Sequence, residues 1–348
     1  MFRKVITLLC LVACVALALG SAGSYPNCSN SSIGCTPLTD LGTGTYDPTG
    51  TAPEMGGLYG GGSNYRPLNM ERLGRHFADK IQSDADQIIA TYGSTAFVTL
   101  GHSIGKKITA ELFPLMQSDP LLWNKLKLVD CCQAGYDAQD LDDITKPYWT
   151  SIVPGYLAAA NVDARQVQVA WMMSGFQNPT GTWPNDAYIL RDTLIDVTQA
   201  WKQFFPNLKQ LYISLPIYEG YKSASPAIEP MNYEQGFGLR MLMELQANSD
   251  PRLNCISPQA PIVAPWISWG GYFWCDGVTL RNDGLNCVCP QDVDSLGVHP
   301  SPSYSNTLAT MLLNEFTRDP CARPWLTGQP LPGSGWAGTS PGLTEAIK

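Results

Sequence analysis

The chain has 348 residues, enough for one large α/β domain or two small ones. A net charge of −8, with only 15% of residues charged, argues against nucleic acid or an anionic membrane surface as a partner. Past the N-terminal region no segment carries about 18 uninterrupted apolar residues, so no stable membrane insertion is expected.

Arg3 and Lys4, the apolar run Ile6 to Leu19 and the small residues Gly20-Ser21-Ala22-Gly23 read as a secretory signal over residues 1–23. Leu11-Val12-Ala13-Cys14 looks superficially like a lipoprotein site, but the apolar run continues past Cys14, so the expected location is secreted or extracellular. Residues 24–66 are rich in Ser, Thr, Gly and Pro without periodicity and read as a segment that wraps a domain. Asn27-Cys28-Ser29 and Asn30-Ser31-Ser32 within it are N-glycosylation sequons, meaningful in a eukaryotic source.

Met70, Leu73, Phe77 and Ile81 mark an amphipathic helix that continues toward Ile88-Ile89. The run Ala96-Phe97-Val98-Thr99-Leu100 then reads as a buried strand. It turns at Gly101, and Ile104, Ile108, Leu112 and Leu115 follow at helical spacing. Leu126–Cys132 predicts a second strand entering the turn Gln133-Ala134-Gly135-Tyr136-Asp137. A helix over about 147–160, a third strand Val167–Met173 and a loop from Ser174 to Asn185 come next. Leu190, Leu194, Val197, Trp201 and Phe204 share a helix face, and Leu208–Ile217 reads as a fourth strand. A helix near 232–247, a Trp- and Cys-rich region from Trp266 to Cys289, and a last helix with Leu308, Leu312 and Phe316 complete the pattern. The domain is expected over residues 67–319, with a peripheral Pro- and Gly-rich tail over 320–348. Strands alternating with helices predict a three-layer α/β/α sandwich around a central parallel sheet, with right-handed crossovers.

Eleven cysteines include two in the signal, leaving nine, an odd number. In an oxidising compartment most should pair, and Cys28–Cys35 and Cys275–Cys287 are the pairings expected. Cys131-Cys132 and Cys287-Val288-Cys289 lack the Cys-x-x-Cys spacing of a zinc site, so no metal is expected.

Ser103 falls where a strand ends and a helix begins, at the edge where open α/β sheets bind ligands. Orphan N–H groups and the helix dipole there favour an anion. The residues alone leave two readings: a nucleophile, or a plain helix-capping serine. A nucleophile needs a base, and His299, in the loop before the last helix, is positioned to return to that edge. His102 reads as a pocket or positioning residue, and His76 as partly exposed on the first helix.

Gly101-x-Ser103 after the first strand, Gly135 after the second, and Gly297-x-His299-Pro300-Ser301-Pro302-Ser303 before the last helix occur in an informative order. Gly57-Leu58-Tyr59, Trp266-x-x-Trp269-Gly270, Asp276-Gly277, Asp283-Gly284-Leu285 and Met311-Leu312-Leu313 fit the same pattern. From about residue 56 to 326 the chain resembles the SGNH (GDSL-like) hydrolase superfamily, nearest to secreted bacterial-type members with Gly-x-Ser in the first block. The resemblance implies a flavodoxin-like sandwich and a serine ester hydrolase working through an acyl-enzyme, with no cofactor, on a small ester or acylated carbohydrate. It makes Ser103 the nucleophile, His299 the general base, and the Ser103 and Gly135 N–H groups oxyanion donors.

Two positions depart from the family pattern. Leu296 stands where an aspartate three residues before the histidine would orient it, with Asp294 and Asp292 nearby as substitutes. Phe176 stands where an asparagine would add an oxyanion donor, with Gln177 and Asn178 close by. These departures motivate an alternative, a catalytically impaired extracellular binding protein. Trp183, Trp266, Trp269 and Trp274 are candidates for sugar stacking or an acyl pocket, or else for core. A phosphate-binding loop at Gly101-x-x-x-Gly105-Lys106-Lys107 is disfavoured: it is one residue short, and Lys107 replaces the Ser or Thr needed for Mg²⁺.

Overall fold

The run over Thr95–Gly101 is apolar on both faces, as a strand covered by helices on either side must be. It forms β1, and every one of its residues is buried. A computed structural model of the chain describes residues 26–41, 68–178, 181–223 and 227–329. The proposed signal, with Cys14, and Gly57-Leu58-Tyr59 lie outside the described residues, as does most of the 24–66 segment.

Helix α1 spans Leu68–Tyr92 and precedes β1; α2 spans Ser103–Ser118 and follows it. Then come β2 (Leu126–Asp130), the short α3 (Ala138–Leu141), a π-turn at Tyr148–Ile152 continuing as α4 (Val153–Ala159), and β3 (Val167–Met173). Next are α5 (Asn185–Phe204), β4 (Gln210–Ser214), α6 (Met231–Ala247) and β5 (Trp266–Trp269). The last described elements are α7 (Pro302–Arg318) and α8 (Arg323–Thr327).

All five strands are parallel, in the order β2-β1-β3-β4-β5. This is the flavodoxin-like order, and its switch point lies between β1 and β3, beside the carboxyl end of β1. Helices α1, α2, α7 and α8 cover one face; α3 to α6 cover the other. The expected three-layer sandwich is therefore the observed fold.

Two aromatic clusters hold the layers. Phe97 on β1 stacks on Trp325 of α8, with Phe316 of α7 edge-on to both. On the opposite face Trp149 meets Trp201 and Phe205. Buried polar residues in the strands are satisfied by neighbouring backbone, as when Gln210 Nε2 donates to Gly74 O and Cys321 O.

Several expectations change. The Trp-rich region contains a strand, β5, that its short length and continuous apolar character concealed. Trp183, Trp266, Trp269 and Trp274 are all core residues. The start of the expected tail is not peripheral: Cys321, Trp325 and Leu326 are buried where α8 packs on the core, while residues 330–348 lie outside the described residues.

Cys28 bonds to Cys289, not Cys35. The described N-terminal stretch lies across the molecule, with Asp276 accepting from Ile33 N and Gly34 N, so its cysteine meets a residue distant in sequence. The Cys275 and Cys287 side chains touch beside the Tyr304 hydroxyl, but no bond joins them.

Candidate active site

Ser103 sits at the first helical position of α2, where the backbone N–H has no intrahelical partner. Only glycine can make the turn that places it there. Gly101 has φ +135°, and a Cβ on it would collide with the Met173 carbonyl of β3. His102 N–H donates to that same carbonyl (3.2 Å), and Tyr148 OH receives Gly101 N–H (3.0 Å).

His102 is buried, and its Nδ1 accepts from Ile104 N–H (3.2 Å), making it the N-cap of α2. Burial, with the charge of His299 as a lesser cause, pulls its pKa down to about 4, so the ring is neutral and its proton sits on Nε2. The residue read from sequence as a pocket or positioning residue thus caps the helix that begins at Ser103. His76 is partly exposed, as expected.

His299 Nε2 lies 2.8 Å from Ser103 Oγ, and His299 Nδ1 lies 2.8 Å from Asp294 Oδ2. Asp294 Oδ1 also accepts from the N–H groups of Leu296 (3.1 Å), Val298 (3.2 Å) and His299 (3.3 Å). Asp294 N–H donates to His299 O (2.8 Å) and closes the loop on itself. The chain thus wraps around its own carboxylate. Burial alone would raise the pKa of Asp294, but the His299 ring and the Val298 and His299 N–H groups outweigh it and hold the carboxyl ionised. An ionised Asp294 facing Nδ1 fixes the tautomer: Nδ1 carries the proton and Nε2 is free to accept the Ser103 proton.

Leu296, three residues before His299, is 46% exposed, whereas Asp294 supplies the carboxylate from five residues upstream. Two extra residues are taken up by the turn at Gly297 (φ +70°), which packs against the Tyr221 backbone. Asp292, the other candidate, instead accepts Val288 N–H (2.7 Å) and braces the loop entrance.

Gly135 (φ +83°) follows β2 in an exposed turn. Two residues earlier, Gln133 N–H donates to Gly101 O (2.8 Å), which brings this turn beside Ser103. The Phe176 ring is buried, and its N–H donates to Gln235 Oε1 (2.7 Å). Gln177 and Asn178 are exposed, and Gln177 N–H reaches the Asp137 carboxylate, so their loop lies along the Gly135 turn. A Ser–His–Asp line of this geometry can take a proton from the serine as it attacks a carbonyl and return it to a leaving group. Among the described residues no group of three or more His, Cys, Asp or Glu is placed to hold a metal ion, and no helix is long and apolar enough to cross a membrane.

No family model matches the chain, and no curated protein matches it. Among solved structures it is similar to the periplasmic domain of a lipopolysaccharide acetyltransferase from Salmonella ser. Paratyphi A, at 10% identity and a TM-score of 0.37. The match covers 72% of this chain and 98% of that one. Similarity at this level carries no functional argument, so the assignment below rests on the site itself.

Proposed function

We propose that this protein is a secreted serine ester hydrolase of SGNH type that cleaves a small ester or an acylated carbohydrate through an acyl-enzyme on Ser103. The observation that carries the reading is the continuous hydrogen-bonded line Ser103–His299–Asp294, with both links at 2.8 Å. In this reading Ser103 Oγ attacks the ester carbonyl while His299 Nε2 takes its proton. Asp294 holds the ring and stabilises the imidazolium that forms. His299 then gives the proton to the leaving alcohol. In the second half it activates water to release the acid and free Ser103. The Ser103 and Gly135 N–H groups stabilise the oxyanion, each donor worth about 2.7–4 kcal/mol in the transition state. Gln177 or Asn178 supplies a further contact to substrate. The Cys28–Cys289 disulfide supports an oxidising compartment.

The Asp294–His299 contact weakens one of the two motives for the binding-protein alternative, since it offers the orienting carboxylate that Leu296 lacks. Phe176 remains its support. Hydrolysis of p-nitrophenyl acetate and butyrate by the parent and by Ser103→Ala decides. Turnover lost in Ser103→Ala upholds the hydrolase, whereas turnover equal in the two proteins, or absent from both, sinks it.

A further inference from the structure

One further polar chain reaches the same edge of the sheet. Lys106 follows Ser103 by three residues on α2, so the two side chains leave the same side of that helix. Lys106 Nζ donates to Cys132 O (3.3 Å) and to Tyr156 OH (3.2 Å), and Tyr156 OH donates to Gln133 Oε1 (2.9 Å). Cys132 and Gln133 are the last anchored residues before Gly135. Cys131 N–H and Gln133 N–H donate to Thr99 O and Gly101 O, and Cys132 N–H to Asp130 Oδ1. Beyond them Ala134 and Gly135 are exposed, and a Cβ on Gly135 would touch nothing. Lys106 and Tyr156 therefore form a side-chain tie between the helix that begins at Ser103 and the turn that carries Gly135.

We infer that Lys106, acting with Tyr156 through Cys132 and Gln133, is a positioning residue that fixes the distance between the Ser103 and Gly135 N–H groups. The inference rests on the proposed oxyanion pair. Lys106 touches no reacting atom; it holds two donors that are useful only at a set separation, because preorganisation is the source of their effect. A charged donor suits an exposed turn, since charge-assisted hydrogen bonds are roughly twice as strong as neutral ones.

The test compares the parent with Lys106→Met, which keeps the stem and removes the donor, and with Lys106→Arg and Tyr156→Phe. Steady-state hydrolysis of p-nitrophenyl acetate is measured together with amide hydrogen exchange over residues 131–137 and the thermal midpoint. Lys106→Met should lower kcat at least about tenfold with little change in KM, and should speed exchange at 133–136. Lys106→Arg should restore much of both, and Tyr156→Phe should fall between. Parental kcat and exchange in Lys106→Met overturn the inference. So does a lowered midpoint with kcat of the folded protein intact, which is a purely structural role. If the parent has no Ser103-dependent turnover, the hydrolase reading fails by itself. Exchange then decides: unchanged rates overturn the tie as well, and faster rates keep it as a clamp on the turn.

Discussion

His299 takes its orientation from Asp294, whose carboxylate lies 2.8 Å from Nδ1 although the two are five positions apart along the chain. Because Asp294 also gathers three backbone N–H groups of the same loop, its charge organises both the ring and the segment that carries it. Asp294→Asn should lower kcat by up to about 10⁴-fold on a p-nitrophenyl ester, as loss of the orienting carboxylate does where it fixes the tautomer. Leu296→Asp, which places a carboxylate three residues before the histidine, should leave kcat close to parental because Nδ1 is already engaged. A large gain in Leu296→Asp would show that Asp294 does not do this work.

The turn at Gly297 absorbs the longer spacing. A Cβ there meets the Tyr221 carbonyl, and the positive φ adds strain of about 1–3 kcal/mol for a non-glycine residue. Gly297→Ala should therefore shift His299 relative to Ser103 and cost roughly 10²-fold in kcat, the scale of an ångström-sized misplacement. Parental kinetics in this variant would mean that the loop tolerates displacement.

Stability should fall as pH rises from about 6.5 to 8. Burial raises the carboxyl pKa of Glu219 to about 7, of Glu229 to about 8 and of Glu234 to about 7. Over this range the folded chain holds protons that the unfolded chain has released, so unfolding releases protons and is favoured at higher pH. His102 acts in the opposite sense, but lower down. Its pKa is about 4 folded against 6.5 unfolded, so it destabilises only as pH drops through that interval. Thermal midpoints measured across the range should decline, and Glu229→Gln, which keeps the acceptor for Trp274 Nε1 and Glu219 N–H, should flatten the decline. A midpoint that climbs with pH would contradict the assignment.

Cys289→Ser should lower stability by about 2–5 kcal/mol, because the Cys28–Cys289 bond closes a very long loop, with a sequence separation of 261. Denaturant unfolding of this variant against the parent gives the difference. Values within error of zero would mean that the N-terminal stretch is held by its hydrogen bonds, such as those to Asp276 and Tyr221, without the disulfide.

Periodicity made most of the fold legible, since β1, β3 and the long helices each present an unbroken apolar run or face. It missed β5, whose four residues are too few to show a period, and it misjudged α8, where a five-residue helix that holds one proline and runs into a Pro- and Gly-rich stretch looks like a tail. Ser103 and His299 were readable because the strand–turn–helix and the loop before α7 are local features. Asp294 was readable as a candidate beside Asp292, but its contact with His299 was not, as it depends on how a six-residue loop closes. Cys28–Cys289 was equally hidden, since contacts between distant segments leave no local trace. That His102 caps α2 was not readable, because a histidine used as a helix cap carries no sequence mark distinguishing it from a pocket residue.

The stacking of Trp325 on Phe97 sets an order of events. The strand that leads to Ser103 emerges early in synthesis, yet the aromatic lid over it is almost the last part of the described chain to be made. Until then that face of β1 has only the cover of α1 and α2, with Phe113 already against Phe97. The core around β1 is therefore completed only when the segment carrying α7 and α8 has been synthesised.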